Sequence, residues 1–177
     1  MKVLFVVPEI RLDGYPTSFP FWAGILASIV MKKHGEVAIL DLNALRMNFG
    51  GHQVPKQVII QEINSEKWDI VGIGGLTTTY ARIKELASLI RKHSPNSLFV
   101  GGGGWSTYNP DEILNLVPEL DLLVIGEGEE TFSELYDEVN AATNDFEKVN
   151  GLCIRDGKNA KFTSPRALID DSEVDYY

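Results

Sequence analysis

The segment Asp69–Gly75, with the sequence DIVGIGG, has the form of a buried strand that ends at a pair of glycines. Ile70–Ile73 is a continuous apolar run, which is typical of central parallel strands because both faces of such strands are covered. Further along, apolar residues recur with helical spacing from Ile83 to Ile90. A strand followed by a helix is the repeating unit of a parallel sheet, so this stretch predicts an α/β architecture.

The same unit occurs five times along the chain. Short apolar runs predict the other four strands at Val3–Val7, Val37–Leu40, Leu98–Val100 and Leu122–Ile125. Helices are predicted over residues 18–34, 56–64 and 110–117, and a last helix carries the stripe Phe132, Leu135, Tyr136 and Val139. Right-handed crossovers between these strands give a doubly wound five-stranded parallel sheet with helices on both faces.

Three local features complete the predicted fold. The first helix is expected to bury Phe21 and Trp22 on its apolar stripe and to end at Gly35, and Asn43–Gly51 is expected to be a loop. Apolar runs flank Asp156-Gly157, which is a hairpin turn signal. We therefore predict an α/β domain at 1–145, a β-hairpin extension at 146–164 and a linker or tail at 165–177.

The composition excludes several classes of function. The chain has 177 residues, 44% hydrophobic and 23% charged, as in a globular domain with its own core. There are 16 Lys and Arg against 25 Asp and Glu, a net charge of −9, so no basic face for nucleic acid is expected. The first apolar run is too short for a signal peptide or membrane span, and a cytoplasmic location is expected. The single cysteine, Cys153, cannot form an internal disulfide or an iron–sulfur cluster.

A ligand site is expected at one edge of the sheet, because open α/β sheets bind ligands beyond the carboxyl ends of their strands. Those ends carry unusual segments in this chain, at Pro8–Gly14, Gly74–Tyr80, Gly101–Tyr108 and Gly126–Glu130. Glycines there let a bulky ligand approach the main chain and leave amide groups free to bind it. The alternative is that these glycines only permit tight turns.

Familiar nucleotide-binding and catalytic motifs are missing from these segments. The loop after the first strand has a single glycine, Gly14, so it lacks the G-x-G-x-x-G of dinucleotide-binding folds, and no P-loop sequence occurs. The third strand ends at Gly74, where a phosphoacceptor domain needs an aspartate. No Ser/His/Asp or Cys/His grouping is placed for nucleophilic catalysis, so no catalytic or metal-ligating residue is predicted.

Five segments, in order, resemble the N-terminal cobalamin (B12)-binding domain of B12-dependent radical SAM enzymes. They are the opening strand Lys2–Pro8, the second strand with His34–Val37 and Asp41, the segment Asp69–Thr77, the segment Gly102–Leu114 with its glycines and PDEIL, and Asp121–Thr131 with GEGEET. The last segment is the most specific. The hairpin also fits the short β extension that this family places before its next domain.

The resemblance implies a flavodoxin-like or Rossmann-like sheet, with the corrin ring across its carboxyl edge and the nucleotide tail inserted beside it. The implied cobalamin-contacting residues are Gly74, Gly75, Leu76, Thr77 and Thr78 after the third strand, Gly102, Gly103 and Gly104 after the fourth, and Gly126, Glu127 and Gly128 after the fifth. The implied loop residues near the cobalt are Tyr15, Trp105 or Tyr108.

The function implied by the resemblance is to hold B12 without a histidine ligand and to position it for a radical SAM domain, for methyl transfer or related radical chemistry. S-adenosylmethionine and a 4Fe-4S cluster would belong to that domain, whose C-x-x-x-C-x-x-C motif this sequence lacks. We therefore expect an excised N-terminal domain without turnover of its own. The D-x-H-x-x-G motif of other cobalamin domains is absent, and Gly74 replaces the Ser of their S-x-L.

Two other functions stay open at this point. One is a degenerate domain of the same family that has lost B12 and serves in docking or substrate recognition. The other is a small α/β enzyme acting on a nucleotide-like ligand, with Glu127 or Asp13 as a base.

Several single residues also have two interpretations. Trp105 is either a ligand contact or a core residue, whereas Trp22 is predicted to be core. Glu129 is expected to complement the positive end of the last helix rather than to bind ligand. His52 is expected to be a solvated loop residue, and Cys153 an inert small hydrophobe.

Overall fold

The computed structural model describes residues 1–10, 12, 14 and 19–167, so Asp13, Tyr15 and 168–177 lie outside the described residues. Its strands are β1 Lys2–Val7, β2 Glu36–Asp41, β3 Ile70–Gly74, β4 Leu98–Gly102, β5 Leu122–Val124, β6 Leu152–Asp156 and β7 Asn159–Phe162. Its helices are α1 Phe21–Lys32, α2 Leu42–Leu45, α3 Lys56–Ile63, α4 Tyr80–His93, α5 Gly104–Thr107, α6 Pro110–Leu116 and α7 Glu129–Asn140. Short 3₁₀ turns lie at Arg46–Phe49, Thr77–Thr79 and Phe146–Lys148.

The strands form one mixed sheet in the order β2-β1-β3-β4-β5-β6-β7. Strands β1 to β5 pair in parallel, which confirms the predicted doubly wound core. The hairpin β6–β7 joins the same sheet, because β6 pairs antiparallel with β5 through Leu123 and Cys153. The described sheet therefore has seven strands, whereas the sequence predicted five and a separate extension.

Alternating residues of the strands contribute to two hydrophobic cores, one on each face of the sheet. On one face, Phe5 and Val100 pack with α1 and α7, whose contributions include Ala27 and Phe132. On the other face, residues such as Ile73 pack with α3, α4 and α6. The alternation follows from strand geometry, since successive side chains point to opposite faces.

The first helix differs from its prediction at both ends. Phe21 is 71% exposed and begins α1 rather than joining its buried stripe, which consists of Ala23, Ala27, Ile29 and Val30. At the other end, the residue with left-handed backbone is His34 (φ 59°), not Gly35. Gly35 is needed for packing instead, because a Cβ there would lie 2.3 Å from the Tyr136 hydroxyl oxygen.

In the segment 43–51, which was expected to be a loop, residues 43–45 belong to α2 and Arg46–Phe49 form the following 3₁₀ turn. The side chain of Asp41 caps α2, because its Oδ1 accepts a hydrogen bond from the Ala44 amide at 3.0 Å. Leu42 is fully buried and anchors the turn. The cap at Asp41 and the burial of Leu42 each involve a single residue. A search for hydropathy periodicity therefore does not detect this four-residue helix.

Candidate functional site

A cavity of about 490 Å³ opens at the carboxyl edge of the sheet. Strands β1, β3, β4 and β5 form its floor, while α1 and the first turn of α7 form its walls. Its volume lies within the roughly 300–1,000 Å³ of small-molecule and cofactor sites. The described lining is mainly apolar or glycine, so the cavity suits a large ligand that carries few charges.

Several residues on the cavity floor are glycines, which have no side chain. Gly72, Gly74 and Gly102 line the cavity together with Val100 and Val124. Strand residues two apart share a face, so Gly102 follows Val100 on the face that packs against α1 and α7. At Gly102 the missing side chain leaves open space between the sheet and the helices, whereas a Cβ on Gly72 or Gly74 would collide with the ring of Phe5 or Trp22.

The α1 wall of the cavity contains Trp22 and Leu26. The Trp22 ring packs edge-on against Phe5, with ring centroids 5.9 Å apart, and a Cβ on Gly74 would lie 2.8 Å from the indole. Trp22 is thus partly buried against the core, where it was predicted, and also forms part of the cavity wall, which the sequence did not indicate. The only sign of this second role in the sequence is that Trp22 lies near the start of the helix that follows the carboxyl end of β1.

The turn after β3 is held by Thr79, a residue that sequence reasoning missed. Its buried hydroxyl donates to the Leu76 carbonyl at 2.7 Å and accepts from the Leu76 amide at 3.1 Å. Leu76 lines the cavity and is 54% exposed. Thr77 and Thr78 are exposed and are not among the described lining residues, so their predicted ligand contact finds no support in the cavity geometry.

The glycine run after β4 has two different roles. Gly103 has left-handed backbone (φ 96°), and a Cβ there would lie 3.0 Å from the Gly75 carbonyl oxygen, so it is needed for close packing of two loops. Gly102 and Gly104 have no such contact within 3.4 Å, and both line the cavity. The tight-turn interpretation therefore accounts for Gly103, while cavity space accounts for Gly102.

Trp105 occupies the core, which is one of its two predicted roles. It is 4% exposed, and its indole N–H donates to the Gly102 carbonyl at 2.8 Å. The ring also packs near Tyr80 on the sheet face opposite the cavity. Tyr108 is 87% exposed, and neither aromatic residue is among the described lining residues.

The segment after β5 forms the mouth of the cavity, where Gly126, Glu127, Gly128 and Glu129 all line it. The Oε2 atom of Glu129 is buried and has no hydrogen-bond partner among the described residues. Among the described lining residues, the ionisable side chains are Asp41, Glu127 and Glu129, and none is basic. The mouth is therefore acidic.

Exposed apolar side chains surround this mouth. Ile10, Phe19, Phe21 and Leu76 line it and are 43%, 58%, 71% and 54% exposed, respectively. A cluster of large exposed apolar groups at the rim of a cavity indicates a surface that a ligand or partner covers.

A buried ion pair positions the loop that follows β1. Glu9 accepts from Arg82 Nε at 2.8 Å and from Arg82 Nη2 at 3.0 Å, and also from the Val54 amide at 3.2 Å. Burial lowers the pKa of Arg82, but its hydrogen bonds to Glu9 and Glu85 outweigh this and raise the pKa. Lys56 and Arg82 lower the pKa of the Glu85 carboxyl by hydrogen bonding. The network ties α3, α4 and two loops together beside the cavity.

Arg46 fixes a second part of the same edge. It is 1% exposed, and it donates to the carbonyls of Gly51, at 2.8 Å, and of Gly14, together with the Asn43 side chain. Asn43 lines the cavity, so the buried guanidinium connects the cavity wall to the loop after β1.

No histidine or cysteine is among the described residues that line the cavity. The described residues contain no group of three His, Cys, Asp or Glu side chains that could hold a metal ion. His52 is exposed and is not among the described lining residues. Cys153 is fully buried, and burial raises the pKa of its thiol to about 11, so its reactive thiolate is scarce at neutral pH. The arrangement suits binding and orientation of a ligand.

Comparison with known proteins points to one family. Residues 13–136 match the B12 binding domain family. An uncharacterized methyltransferase of Pyrococcus horikoshii is 30% identical over 174 residues, covering 96% of this chain and 36% of its own. The cobalamin-dependent radical SAM methyltransferase TokK of Streptomyces tokunonensis is 29% identical over 159 residues, covering 90% of this chain and 22% of its own. The chain thus spans about a third or less of these two relatives.

Solved structures establish the same fold. The radical S-adenosylmethionine methyltransferase TsrM from Kitasatospora setae, with cobalamin and a 4Fe-4S cluster bound, superposes with a TM-score of 0.78 at 20% identity, over 96% of this chain and 30% of that one. The cobalamin-dependent S-adenosylmethionine radical enzyme OxsB with aqua-cobalamin bound gives 0.74 at 22% identity, over 94% and 22%. In the ranges that the structure describes, no helix is long and apolar enough to cross a membrane.

Proposed function

The chain belongs to the B12 binding domain family, and from this membership we propose that it binds cobalamin in the carboxyl-edge cavity and positions it for a radical SAM catalytic domain. The observation that carries the proposal is the cavity of about 490 Å³ between the sheet and α1, on whose floor Gly102 leaves room that no side chain fills. That space fits the nucleotide tail of cobalamin inserted beside the sheet, with the corrin ring across the mouth.

The described residues fit such a ligand. Gly102 and Val124 would contact the tail from the floor, while Trp22 and Leu26 would contact it from α1. Leu76 and Gly126–Gly128 would border the ring. No histidine is among the described lining residues, which supports binding without a histidine ligand to cobalt. Bound cobalamin would supply a cobalt centre that can carry a methyl group, and the protein would bind, orient and shield it.

The exposed apolar rim supports the second half of the proposal. Phe19, Phe21 and Leu76 would be covered when a catalytic domain closes over the corrin face. Arg166 ion-pairs with Glu130 at 2.6 Å, and its Nε donates a hydrogen bond to the Thr131 hydroxyl oxygen at 2.9 Å. These contacts hold the end of the described chain beside the first turn of α7. In this proposal residues 1–145 bind cobalamin, 146–164 extend the sheet and 165–177 lead toward the catalytic domain.

The proposal is tested by titrating the purified chain with hydroxocobalamin, followed by gel filtration and a visible spectrum of the protein peak. We expect co-elution near one cobalamin per chain, with the bands of base-off cobalamin. Absence of co-elution at micromolar concentrations would contradict binding by this chain and favour the docking function of a degenerate family member.

A further inference from the structure

The helix start beside the cavity mouth is held from its outer side by one arginine near the end of the described chain. The side chain of Arg166 is only 13% exposed. Its Nε donates to the Thr131 hydroxyl oxygen at 2.9 Å, and its terminal nitrogens bind the carboxylates of Glu130, at 2.6 Å, and of Glu134. All three partners lie in the first two turns of α7, whose first residue, Glu129, lines the cavity. One guanidinium therefore fixes the helix start that forms part of the mouth.

Gly151 connects the same arginine to the other end of the mouth segment. Its amide donates to the Ser164 carbonyl oxygen at 2.8 Å, and its carbonyl oxygen accepts from the Ile125 amide at 2.9 Å. Gly151 has left-handed backbone (φ 81°), and a Cβ there would lie 2.8 Å from the Thr131 hydroxyl oxygen and 3.5 Å from the Cβ of Arg166. Ile125 directly precedes the mouth segment. A displacement of Arg166 would therefore reach the segment from both of its ends.

The mouth segment Gly126–Glu129 is conformationally soft. It contains two glycines, and glycine loses more conformational freedom than any other residue when its backbone is fixed. Gly126 has a φ of 74°, and a Cβ on it would have no neighbour within 4 Å, so close packing around this residue does not hold it in place. The contacts at the two ends of the segment are therefore important for its shape.

Arg166 also balances negative charge at the start of α7. Glu130 and Glu134 are four residues apart, so their side chains are neighbours on the helix and repel each other. Arg166 pairs with both. A guanidinium that is 13% exposed is less screened by solvent than a surface arginine, so these ion pairs are stronger than exposed ones. Removing Arg166 would restore the repulsion beside a mouth that is already acidic.

We propose that Arg166 is a positioning residue for cobalamin binding, which holds Gly126–Glu129 in the conformation that borders the corrin ring. This inference rests on the proposed cobalamin binding. A loop that is fixed before its ligand arrives loses less entropy on binding, so the ligand binds more tightly. Arg166 lies in the segment that the sequence predicts to be a linker. The unit that binds cobalamin would then include a residue well beyond 1–145.

The test compares the full chain with its variants Arg166→Gln, Arg166→Lys and Lys161→Gln. Lys161 is the matched control, because Lys161→Gln removes the same positive charge. It pairs with Glu147 at 2.6 Å and is not among the described lining residues. Visible titration with hydroxocobalamin measures affinity, and urea denaturation measures the stability of the whole fold. Amide hydrogen exchange without cobalamin reports on the Gly151 amide, which is bonded to Ser164.

We expect Arg166→Gln to bind hydroxocobalamin about tenfold more weakly, which corresponds to fixing about one additional backbone residue on binding. Its urea midpoint should stay close to that of the wild type, because a helix start can open without unfolding the core. Its Gly151 amide should exchange faster. Arg166→Lys keeps the charge but lacks the planar fork, so it should bind about threefold more weakly than the wild type. Lys161→Gln should bind as the wild type does.

The outcomes separate the inference from the proposed function. If the wild type binds hydroxocobalamin and Arg166→Gln binds it equally well, the role of Arg166 is overturned and cobalamin binding stands. An equal loss of affinity in Lys161→Gln, or a fall in the urea midpoint that accounts for the weaker binding, overturns it as well. If Arg166→Gln does not fold, wild-type affinity in Arg166→Lys overturns the role and weaker binding supports it. If the wild type does not bind hydroxocobalamin, both the proposed function and this inference are wrong.

Discussion

Gly102 and Val124 face the same cavity from neighbouring strands, and a Cβ atom on Gly102 would lie 3.7 Å from the Cβ of Val124, with no other neighbour within 4 Å. This is ordinary van der Waals separation. The protein itself thus has room for a side chain at position 102, and the missing one leaves space for something else. Gly74 differs, because its Cβ would already meet Trp22.

Gly102→Ala and Gly102→Val should separate binding from stability. We expect stability to be unchanged or to rise by about 0.5–1 kcal/mol, because glycine is entropically unfavourable in a strand. The added methyl groups fill the cavity, so hydroxocobalamin should bind more weakly by about 1–3 kcal/mol in the valine variant and less so in the alanine variant. Visible titration and urea denaturation measure the two effects. Ala160→Val in β7, away from the cavity lining, serves as control, and wild-type affinity in Gly102→Val would refute the placement of the ligand.

Gly103→Ala should destabilise the chain, while the same change at Gly104 should not. Gly103 has a φ of 96° and approaches the Gly75 carbonyl, whereas nothing lies within 4 Å of a Cβ on Gly104. A left-handed backbone without glycine costs about 1–3 kcal/mol. Urea denaturation of both variants measures the difference. Equal stability of the two would show that the strain at position 103 is relieved by local movement.

Trp105→Phe should lower stability by about 1–3 kcal/mol, because it leaves the Gly102 carbonyl without the indole N–H that donates to it. Affinity for hydroxocobalamin should change little, since Trp105 is buried on the sheet face opposite the cavity. Thermal melting and visible titration give both quantities. If the variant keeps its stability but loses affinity for hydroxocobalamin, Trp105 is a ligand contact rather than a core residue.

Removing one partner of the Glu9–Arg82 ion pair should lower the stability of the fold, because the two side chains are only 2% and 10% exposed, respectively. Glu9→Ala should destabilise by about 3–5 kcal/mol because it leaves a buried guanidinium with a lost partner. The double variant Glu9→Ala/Arg82→Ala should be less destabilised than the sum of the two single variants. A double-mutant cycle by urea denaturation measures this coupling, and strict additivity would argue against it.

Cys153 should react slowly with thiol reagents up to high pH, because its pKa is raised to about 11. Folding favours the protonated thiol, so the associated stability is complete below the pKa of the unfolded thiol, near 8.5. It is lost as pH rises toward the folded value. Labelling rates of the native chain between pH 7 and 10 check the first expectation, with the urea-unfolded chain as control; equal rates at pH 8 would contradict it.

The fold could be predicted from local patterns because they are repeated and mutually consistent. Ile70–Ile73 and the stripe from Ile83 to Ile90 each indicate one element by period alone, and parallel strands place all carboxyl ends at one edge. The pairing of β6 with β5 could not be predicted in this way. It depends on which strand edge is left open, and that is a property of the assembled sheet.

The site was predicted less completely than the fold. Gly74 and Gly102, two of the candidate glycines, line the cavity, and their contact with cobalamin stays a prediction. The sequence could not tell that Trp105 points into one core while Trp22 borders the cavity, since both are tryptophans near the carboxyl edge. The orphaned oxygen of Glu129 is likewise visible only when the helix and the sheet are packed together.

The antiparallel pairing of β6 with the three-residue strand β5 has a consequence for how this domain can be isolated. A chain that ended at residue 145 would leave Leu122–Val124 as an unprotected edge strand of apolar residues, and such edges invite intermolecular strand addition and aggregation. The hairpin also buries Leu152 and Cys153 against the two cores. The smallest fragment that folds and stays monomeric should therefore extend through Phe162, beyond the last strand–helix unit.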